Sequence, residues 1–133
     1  MSESSSTPLL RRALVLDAIA SGAMAMLLVL AAPALSGIFG LSAGLLRGIG
    51  FVLLPWVALL AWTTARPRPS RGLVLAIVGA NVAWVLASAW LPLSGLVSPT
   101  TLGTAFVVGQ AVAVAVFADL QWIALRRNQP VAA

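Results

Sequence analysis

Four long apolar runs constrain this chain more than any other feature. They cover about residues 13–35, 45–65, 73–91 and 102–125. A helix needs about 20 apolar residues to cross the hydrocarbon of a bilayer. Because backbone groups in lipid must find hydrogen-bond partners within the chain, each run is predicted to be a transmembrane helix. The runs do not alternate between polar and apolar residues, as the strands of a membrane barrel do.

The composition agrees with a chain surrounded mostly by lipid. Hydrophobic residues make up 61% of it and charged residues 8%, whereas a soluble domain has about 25% charged residues. The predicted fold class is all-α, a single bundle of four transmembrane helices over residues 11–127. Short loops should make neighbouring helices antiparallel. A polar N-terminal tail, residues 1–10, and a short C-terminal tail, residues 128–133, complete the chain.

The composition also excludes several kinds of site. The chain has no cysteine and no histidine, which rules out disulfides, thiolate or imidazole metal sites and Cys or His catalysis. No nucleophile–base pair stands out, so we expect no catalytic residue and predict that the chain is not an enzyme. We also expect no bound metal and no cofactor. The net charge of +5 would suit nucleic acid. The arginines flank the apolar runs instead, so no nucleic-acid partner is predicted.

The arginines predict an orientation. Seven of the eight fall on one side of the predicted membrane: Arg11, Arg12, Arg66, Arg68, Arg71, Arg126 and Arg127. Arg47 is alone on the other side. Since short cytoplasmic loops are enriched in basic residues, both termini are predicted to be cytoplasmic. The expected location is the bacterial cytoplasmic (inner) membrane, and the strong bias argues against a dual-topology protein.

A signal peptide is the competing interpretation of the first run. Arg11 and Arg12, the apolar stretch and Ala32-Pro33-Ala34 resemble a signal sequence with its cleavage site. The stretch is longer than a usual signal core, it contains Asp17, and a proline lies beside the predicted cut. A retained helix is therefore favoured. Cleavage would leave three helices in the same orientation.

Two carboxylates lie inside apolar runs. Asp17 is about 6 Å and Asp119 about 9 Å from the arginine-bearing ends of their runs, at 1.5 Å per residue. A charged aspartate costs about 2.5 to 3.5 kcal/mol at the centre of a membrane helix. The favoured interpretation is a set of ion pairs, Asp17 with Arg126–Arg127 and Asp119 with Arg11–Arg12. The alternatives are protonatable groups of a transporter and a polar contact with a partner subunit.

The fourth run carries polar residues on two faces. Gln110 and Gln121 are eleven residues apart, about 20° from a shared face, whereas Asp119 is about 180° from Gln110. We expect one face to line the bundle core and the other to meet another subunit, which predicts a homo-oligomer or a partner membrane subunit. The alternative is that Gln121 lies at the membrane interface.

The third run carries Asn81, about 12 Å deep, with Trp84 and Ser88 on the same face. A buried membrane asparagine usually bonds to a neighbouring helix, and a ligand-binding or transport role is the alternative. Trp56 and Trp84 fall near mid-membrane, where each indole N–H needs an acceptor. Asn81 and Gln110 are candidates. Core packing is favoured over the stacking of a quinone or a lipid on these rings.

Arg47 has no acid on its side of the membrane. We expect its side chain to extend to lipid phosphate. An anionic ligand site with Ser88 or Gln110 is the alternative.

Small residues at four-residue spacing predict faces where helices approach closely. They are Ala18 and Gly22, then Gly79, Ala83 and Ala87, and finally Ala105, Gly109 and Ala113.

Three segments carry a resemblance: Leu10-Arg-Arg-Ala13, Gly79-Ala-Asn-Val-Ala-Trp84, and Phe117-Ala-Asp-Leu-Gln-Trp-Ile-Ala-Leu-Arg-Arg127. Over its whole length the chain resembles the small, uncharacterised four-helix inner-membrane proteins of bacteria. This implies a four-helix fold and no assigned activity.

Two other families are similar in size. Small multidrug-resistance transporters carry a membrane-embedded glutamate and aromatic residues around the substrate, whereas this chain has the shallower Asp17 and no tyrosine. Dual-topology fluoride channels have a weaker arginine bias. The predicted function is an accessory or assembly component that acts through helix–helix contacts. The alternative is a small proton-coupled transporter in which Asp17 and Asp119 are protonatable.

Overall fold

The computed structural model describes residues 2–127, with side chains from residue 8 onward. In this range the chain forms four α-helices and no strand, so the predicted fold class is confirmed. The helices are α1 (Ser2–Phe39), α2 (Ala43–Ala65), α3 (Arg71–Leu93) and α4 (Thr101–Arg127). The predicted C-terminal tail lies outside the described residues.

Helix α1 is longer than predicted at both ends. It begins at Ser2, inside the predicted polar tail. It continues to Phe39, and Gly40 follows with a φ of 68°. A glycine in this left-handed conformation is a common helix terminator, because it has no Cβ to clash. The α1–α2 loop is therefore only three residues long.

Side-chain caps explain where the other helices begin. The hydroxyl of Ser42 accepts a hydrogen bond of 3.0 Å from the backbone N–H three residues later. Ser70 and Thr100 cap α3 and α4 in the same way, at 3.1 and 3.0 Å. Such caps satisfy N–H groups that a helix leaves unpaired at its start.

The helices form an antiparallel bundle in which α1 packs against α2 and α4, and α4 packs against α3. One core cluster joins the beginnings of α1 and α3 to the ends of α2 and α4: Leu10, Leu14, Leu60, Val74, Ile77, Ala124 and Leu125. A second cluster lies toward the other end: Ala25, Leu28, Ala32, Leu41, Leu46, Leu53 and Val107. Neighbouring helices therefore run in opposite directions, as predicted.

This arrangement gathers seven arginines at one end of the bundle, which we call the arginine-rich end. It consists of Arg11, Arg12, Arg66, Arg68, Arg71, Arg126 and Arg127. The guanidinium of Arg66 lies 4.6 Å from the ring centroid of Trp62, in a cation–π contact. Arg47 is near the start of α2, toward the opposite end.

Large apolar side chains cover the outside of the bundle. Leu30, Val52 and Leu86 are 71%, 63% and 66% exposed. Each of the four described helices is long and apolar enough to cross a membrane. The chain is a multi-pass membrane protein, with lipid expected around these side chains.

The opposite end is held by contacts between the end of α1 and the start of α4. The backbone N–H of Thr100 donates to the carbonyl of Phe39 at 2.9 Å, and its hydroxyl donates to the carbonyl of Ile38 at 2.7 Å. The rings of Phe39 and Phe106 stack at 4.5 Å. A Cβ on Gly103 would collide with the carbonyl oxygen of Phe39, so this approach requires glycine.

One of the three small-residue stripes meets a neighbouring helix of the chain: Gly22 of α1 packs near Val57 of α2. The stripes of α3 and α4 are exposed, and a Cβ on Gly79 or Gly109 would meet no atom of the described residues within 4 Å. For these two stripes, close approach of another helix stays a prediction. The close α1–α2 contact at Gly50, where a Cβ would lie 2.7 Å from Val29, was not predicted.

Candidate intramembrane polar site

Asp17 is the centre of the best-formed polar site. Its side chain is 1% exposed. Its Oδ1 accepts a hydrogen bond of 3.1 Å from the hydroxyl of Ser21, one turn later on α1. Its Oδ2 accepts from Nδ2 of Asn81 at 2.9 Å and from Nε2 of Gln121 at 2.8 Å. The carboxylate is thus bonded from three helices.

Asn81 and Gln121 close a ring around this oxygen. The amide nitrogen of Asn81 also donates to Oε1 of Gln121 at 3.1 Å, and the two side chains are 3% and 0% exposed. Asp17, Asn81 and Gln121 form what we call the polar ring, which connects α1, α3 and α4. Such bonds satisfy polar groups that lipid would leave unpaired.

The predicted ion pair of Asp17 is wrong. Its donors are the neutral side chains of Ser21, Asn81 and Gln121, while Arg126 and Arg127 are exposed. The physical reason is the set of donors at the level of Asp17. Asn81 and Gln121 lie beside its carboxylate inside the bundle, whereas Arg126 and Arg127 come at least five residues after Gln121, about 8 Å farther along α4 at 1.5 Å per residue.

Asp119 lies elsewhere. It is exposed on the outer face of α4, and its predicted pairing with Arg11 or Arg12 is absent among the described residues. The rotation predicted for α4 is confirmed: Gln121 is buried and Gln110 half-buried in the core, while Asp119 faces outward. Full burial of Gln121 contradicts the alternative that it lies at the interface.

A second polar cluster lies farther from the arginine-rich end. Nε1 of Trp84 donates to Oε1 of Gln110 at 2.8 Å, so the predicted acceptor for this indole is confirmed. Nε2 of Gln110 donates to the hydroxyl of Ser88 at 2.9 Å and to the carbonyl of Val107 at 2.8 Å. The cluster links α3 to α4, and both the amide oxygen and the amide nitrogen of Gln110 are hydrogen-bonded.

Arg47 does not join this cluster. It is exposed, and its Nε donates to the carbonyl of Val29 on α1 at 3.4 Å. Ser88 and Gln110 bond to each other. Contact of Arg47 with lipid phosphate, and the alternative of an anionic ligand site with Ser88 or Gln110, stay predictions.

A cavity of about 130 Å³ lies beside the polar ring. We call it the α2–α3 cavity, since α2 and α3 form most of its wall and pack against α1 and α4 rather than closely against each other. Its lining includes Ser21, Leu53, Trp56, Asn81, Trp84 and Val114. Sequence reasoning missed Ser21, although its four-residue spacing from Asp17 was a usable signal.

A wider groove runs along the outer surface between α3 and α4. This α3–α4 groove has a volume of about 390 Å³. Its lining includes Val78, Val82, Leu86, Ala115, Asp119 and Trp122. Asp119 is the one ionisable side chain among the described residues of the groove.

No family model matches the chain, and no curated protein or solved structure shows significant similarity to it. Within the described part of the chain, no three His, Cys, Asp or Glu side chains are close enough together to hold a metal ion.

Proposed function

We propose that this chain is a non-enzymatic protein of the bacterial cytoplasmic membrane, an accessory or assembly component that binds a partner's transmembrane helix. The observation that carries the proposal is the position of Asp119. Its carboxylate is exposed in the apolar α3–α4 groove, and no hydrogen bond or ion pair reaches it from the described residues.

A carboxylate that faces lipid is unfavourable and calls for a partner. The apolar walls of the groove, such as Val82 and Leu86, suit the side chains of another membrane helix. The expected partner helix carries an arginine, a lysine or an amide at the depth of Asp119, since such groups donate hydrogen bonds to a carboxylate.

The exposed small-residue stripes do not line the groove but offer further faces to another membrane helix. Gly79–Ala87 on α3 and Ala105–Ala113 on α4 leave room for another backbone to approach. In membranes, where lipid tails are as apolar as leucine, close packing at small residues is a main source of helix association.

The proposed orientation places the arginine-rich end in the cytoplasm, with both termini on that side. Its support is the contrast between seven arginines at that end and Arg47 alone near the other. Basic residues in short loops are retained on the cytoplasmic side.

Site-specific photo-crosslinking in membranes tests the docking surface. A photoreactive side chain at Ala115, in the groove, should give a discrete protein adduct. The same group at Leu30, exposed on α1, serves as the control. Asp119→Leu should weaken the Ala115 adduct because it removes the acceptor. An adduct of twice the chain mass would identify the partner as a second copy. Lipid adducts alone, or an adduct indifferent to Asp119→Leu, would contradict the proposal.

A small proton-coupled transporter is the second candidate, favoured by the burial of Asp17 next to the α2–α3 cavity. Asp119 lies on the opposite side of α4, so Asp17 alone would be the protonatable group. In proteoliposomes with a pH gradient, Asp17→Asn should abolish gradient-driven uptake of a transported solute, while Asp119→Asn should not. Unchanged uptake by Asp17→Asn would exclude this candidate.

A further inference from the structure

We propose that the α2–α3 cavity binds a protonated lipophilic amine. The ammonium group would donate a hydrogen bond to Oδ1 of Asn81, and the apolar part would lie between Trp56 and Trp84. The site uses none of the groove residues, so it does not depend on the docking proposal. It does name a substrate class for the transporter candidate.

Asn81 supplies the acceptor. Its amide nitrogen is the atom that donates to Oδ2 of Asp17 at 2.9 Å and to Oε1 of Gln121 at 3.1 Å. The carbonyl oxygen Oδ1 is then left without a donor among the described residues. Asn81 is 3% exposed and lines the cavity. No buried side-chain nitrogen or oxygen of the described residues lacks a hydrogen-bond partner, so Oδ1 is not sealed off. It presents an acceptor to the cavity, where a donor can bond to it.

Ser21 presents an acceptor as well. Its hydroxyl hydrogen is directed to Oδ1 of Asp17, which leaves the lone pairs of its oxygen. Ser21 lines the cavity. Asn81 and Ser21, which lie between the cavity and Asp17, therefore both offer hydrogen-bond acceptors. This favours a ligand whose head group donates hydrogen bonds.

Asp17 favours a cation over a neutral donor. Its three hydrogen-bond donors are uncharged, so none of them would balance the charge of an ionised carboxylate. An ammonium group in the adjoining cavity would be attracted to such a carboxylate.

The tryptophans suit the rest of such a ligand. Trp56 and Trp84 line the cavity, and the faces of indole rings attract cations and pack against apolar groups. The N–H of Trp84 is already bonded to Gln110, so this residue offers its ring. The volume of about 130 Å³ is close to the ~150 Å³ of an engineered cavity that binds benzene. The bound portion is therefore about the size of a benzyl group.

Access comes from the lipid. Val52 of α2 is 63% exposed and also lines the cavity, as does the exposed Ala80 of α3. The cavity thus opens on the outer surface between these two helices, where an amine dissolved in the bilayer can enter.

Fluorine NMR with the purified full chain in zwitterionic nanodiscs tests the site. The probes are para-(trifluoromethyl)benzylamine, charged at neutral pH, and the uncharged para-(trifluoromethyl)benzyl alcohol, which has a similar shape. The amine should bind saturably and more tightly than the alcohol. Asp17→Asn should weaken amine binding by at least about tenfold, because the charge attraction is lost, and should change alcohol binding little. Asp119→Asn, the same change on the outer face, should leave both affinities unchanged.

Trp56→Leu is a second test variant, which leaves Asp17 unchanged. It should weaken amine and alcohol together, because it removes a ring face that both probes contact. Equal amine binding by the wild type and Asp17→Asn, or binding no greater than to empty nanodiscs, would overturn the proposal. So would equal losses in Asp17→Asn and Asp119→Asn. The NMR experiment measures binding and not transport. Amine binding without proton-coupled uptake would therefore exclude the transporter candidate and leave the amine site in place.

Discussion

Asn81 on α3 donates a hydrogen bond of 2.9 Å to Oδ2 of Asp17 on α1, across 64 positions of sequence. Gln121 on α4 donates to the same oxygen at 2.8 Å. The polar ring therefore fixes the relative depth and rotation of three helices, because a shift of any one would break a bond that lipid cannot replace. Among the described residues, α2 contributes no side chain to the ring and is held by apolar contacts such as the one at Gly50.

Replacing Asn81 should destabilise the bundle. Asn81→Leu removes two hydrogen bonds and leaves Asp17 and Gln121 each with one fewer partner in a buried site. The expected loss of unfolding free energy is about 1–3 kcal/mol. It can be measured by denaturation in mixed detergent micelles. Leu86→Ala, a truncation on the lipid-facing side of the same helix, is the control and should cost much less. An Asn81→Leu protein as stable as the wild type would contradict a structural role of the ring.

The bond between Trp84 and Gln110 should appear as a coupling energy. We expect a double-mutant cycle of Trp84→Phe and Gln110→Leu to give about 0.6 kcal/mol, the average for hydrogen bonds between membrane helices, and no more than about 1.7 kcal/mol. The cycle subtracts effects that each substitution has alone, including the loss of the Ser88 contact. Additive effects of the two substitutions would mean that the 2.8 Å contact contributes nothing to stability.

The helices and the rotation of α4 were predictable because both follow from one-dimensional patterns. Apolar runs of sufficient length specify the spans, and the angle between Gln110 and Asp119 specifies that they face different ways. In the structure the inward face is the one with Gln110 and Gln121, a choice that the angle alone leaves open.

The partners of the polar residues were not predictable in the same way. They depend on how the helices are set against one another. The sequence places Asp17 five residues from Arg12 but does not show that Asn81 and Gln121 lie at its level and donate to it. Contacts of glycine backbones, such as Gly103 with Phe39, leave no periodic signal in the sequence. Gly79 and Gly109 have the expected spacing but pack against none of the described residues.

Gly103 should be intolerant of even a methyl group. In Gly103→Ala the new Cβ would collide with the backbone carbonyl of Phe39, which cannot move without disturbing the Thr100 hydrogen bond at 2.9 Å. We expect a loss of about 1–3 kcal/mol, the usual cost of overpacking. Thermal unfolding in detergent gives the measurement. Gly109→Ala on the same helix meets open space and should be neutral or stabilising, since alanine favours helix. Equal effects of the two substitutions would show that the α1–α4 approach is not tight.

The orientation can be read from single cysteines, because the natural chain has none. Pro67→Cys lies in the α2–α3 loop at the arginine-rich end, and Ser98→Cys in the α3–α4 loop at the opposite end; both positions are exposed. A membrane-impermeant maleimide added to intact cells in which the outer membrane has been permeabilised should label Ser98→Cys and not Pro67→Cys. After the inner membrane is opened, both should react, which controls for accessibility. Labelling of Pro67→Cys in cells with an intact inner membrane would reverse the orientation, and similar labelling of both variants would indicate dual topology.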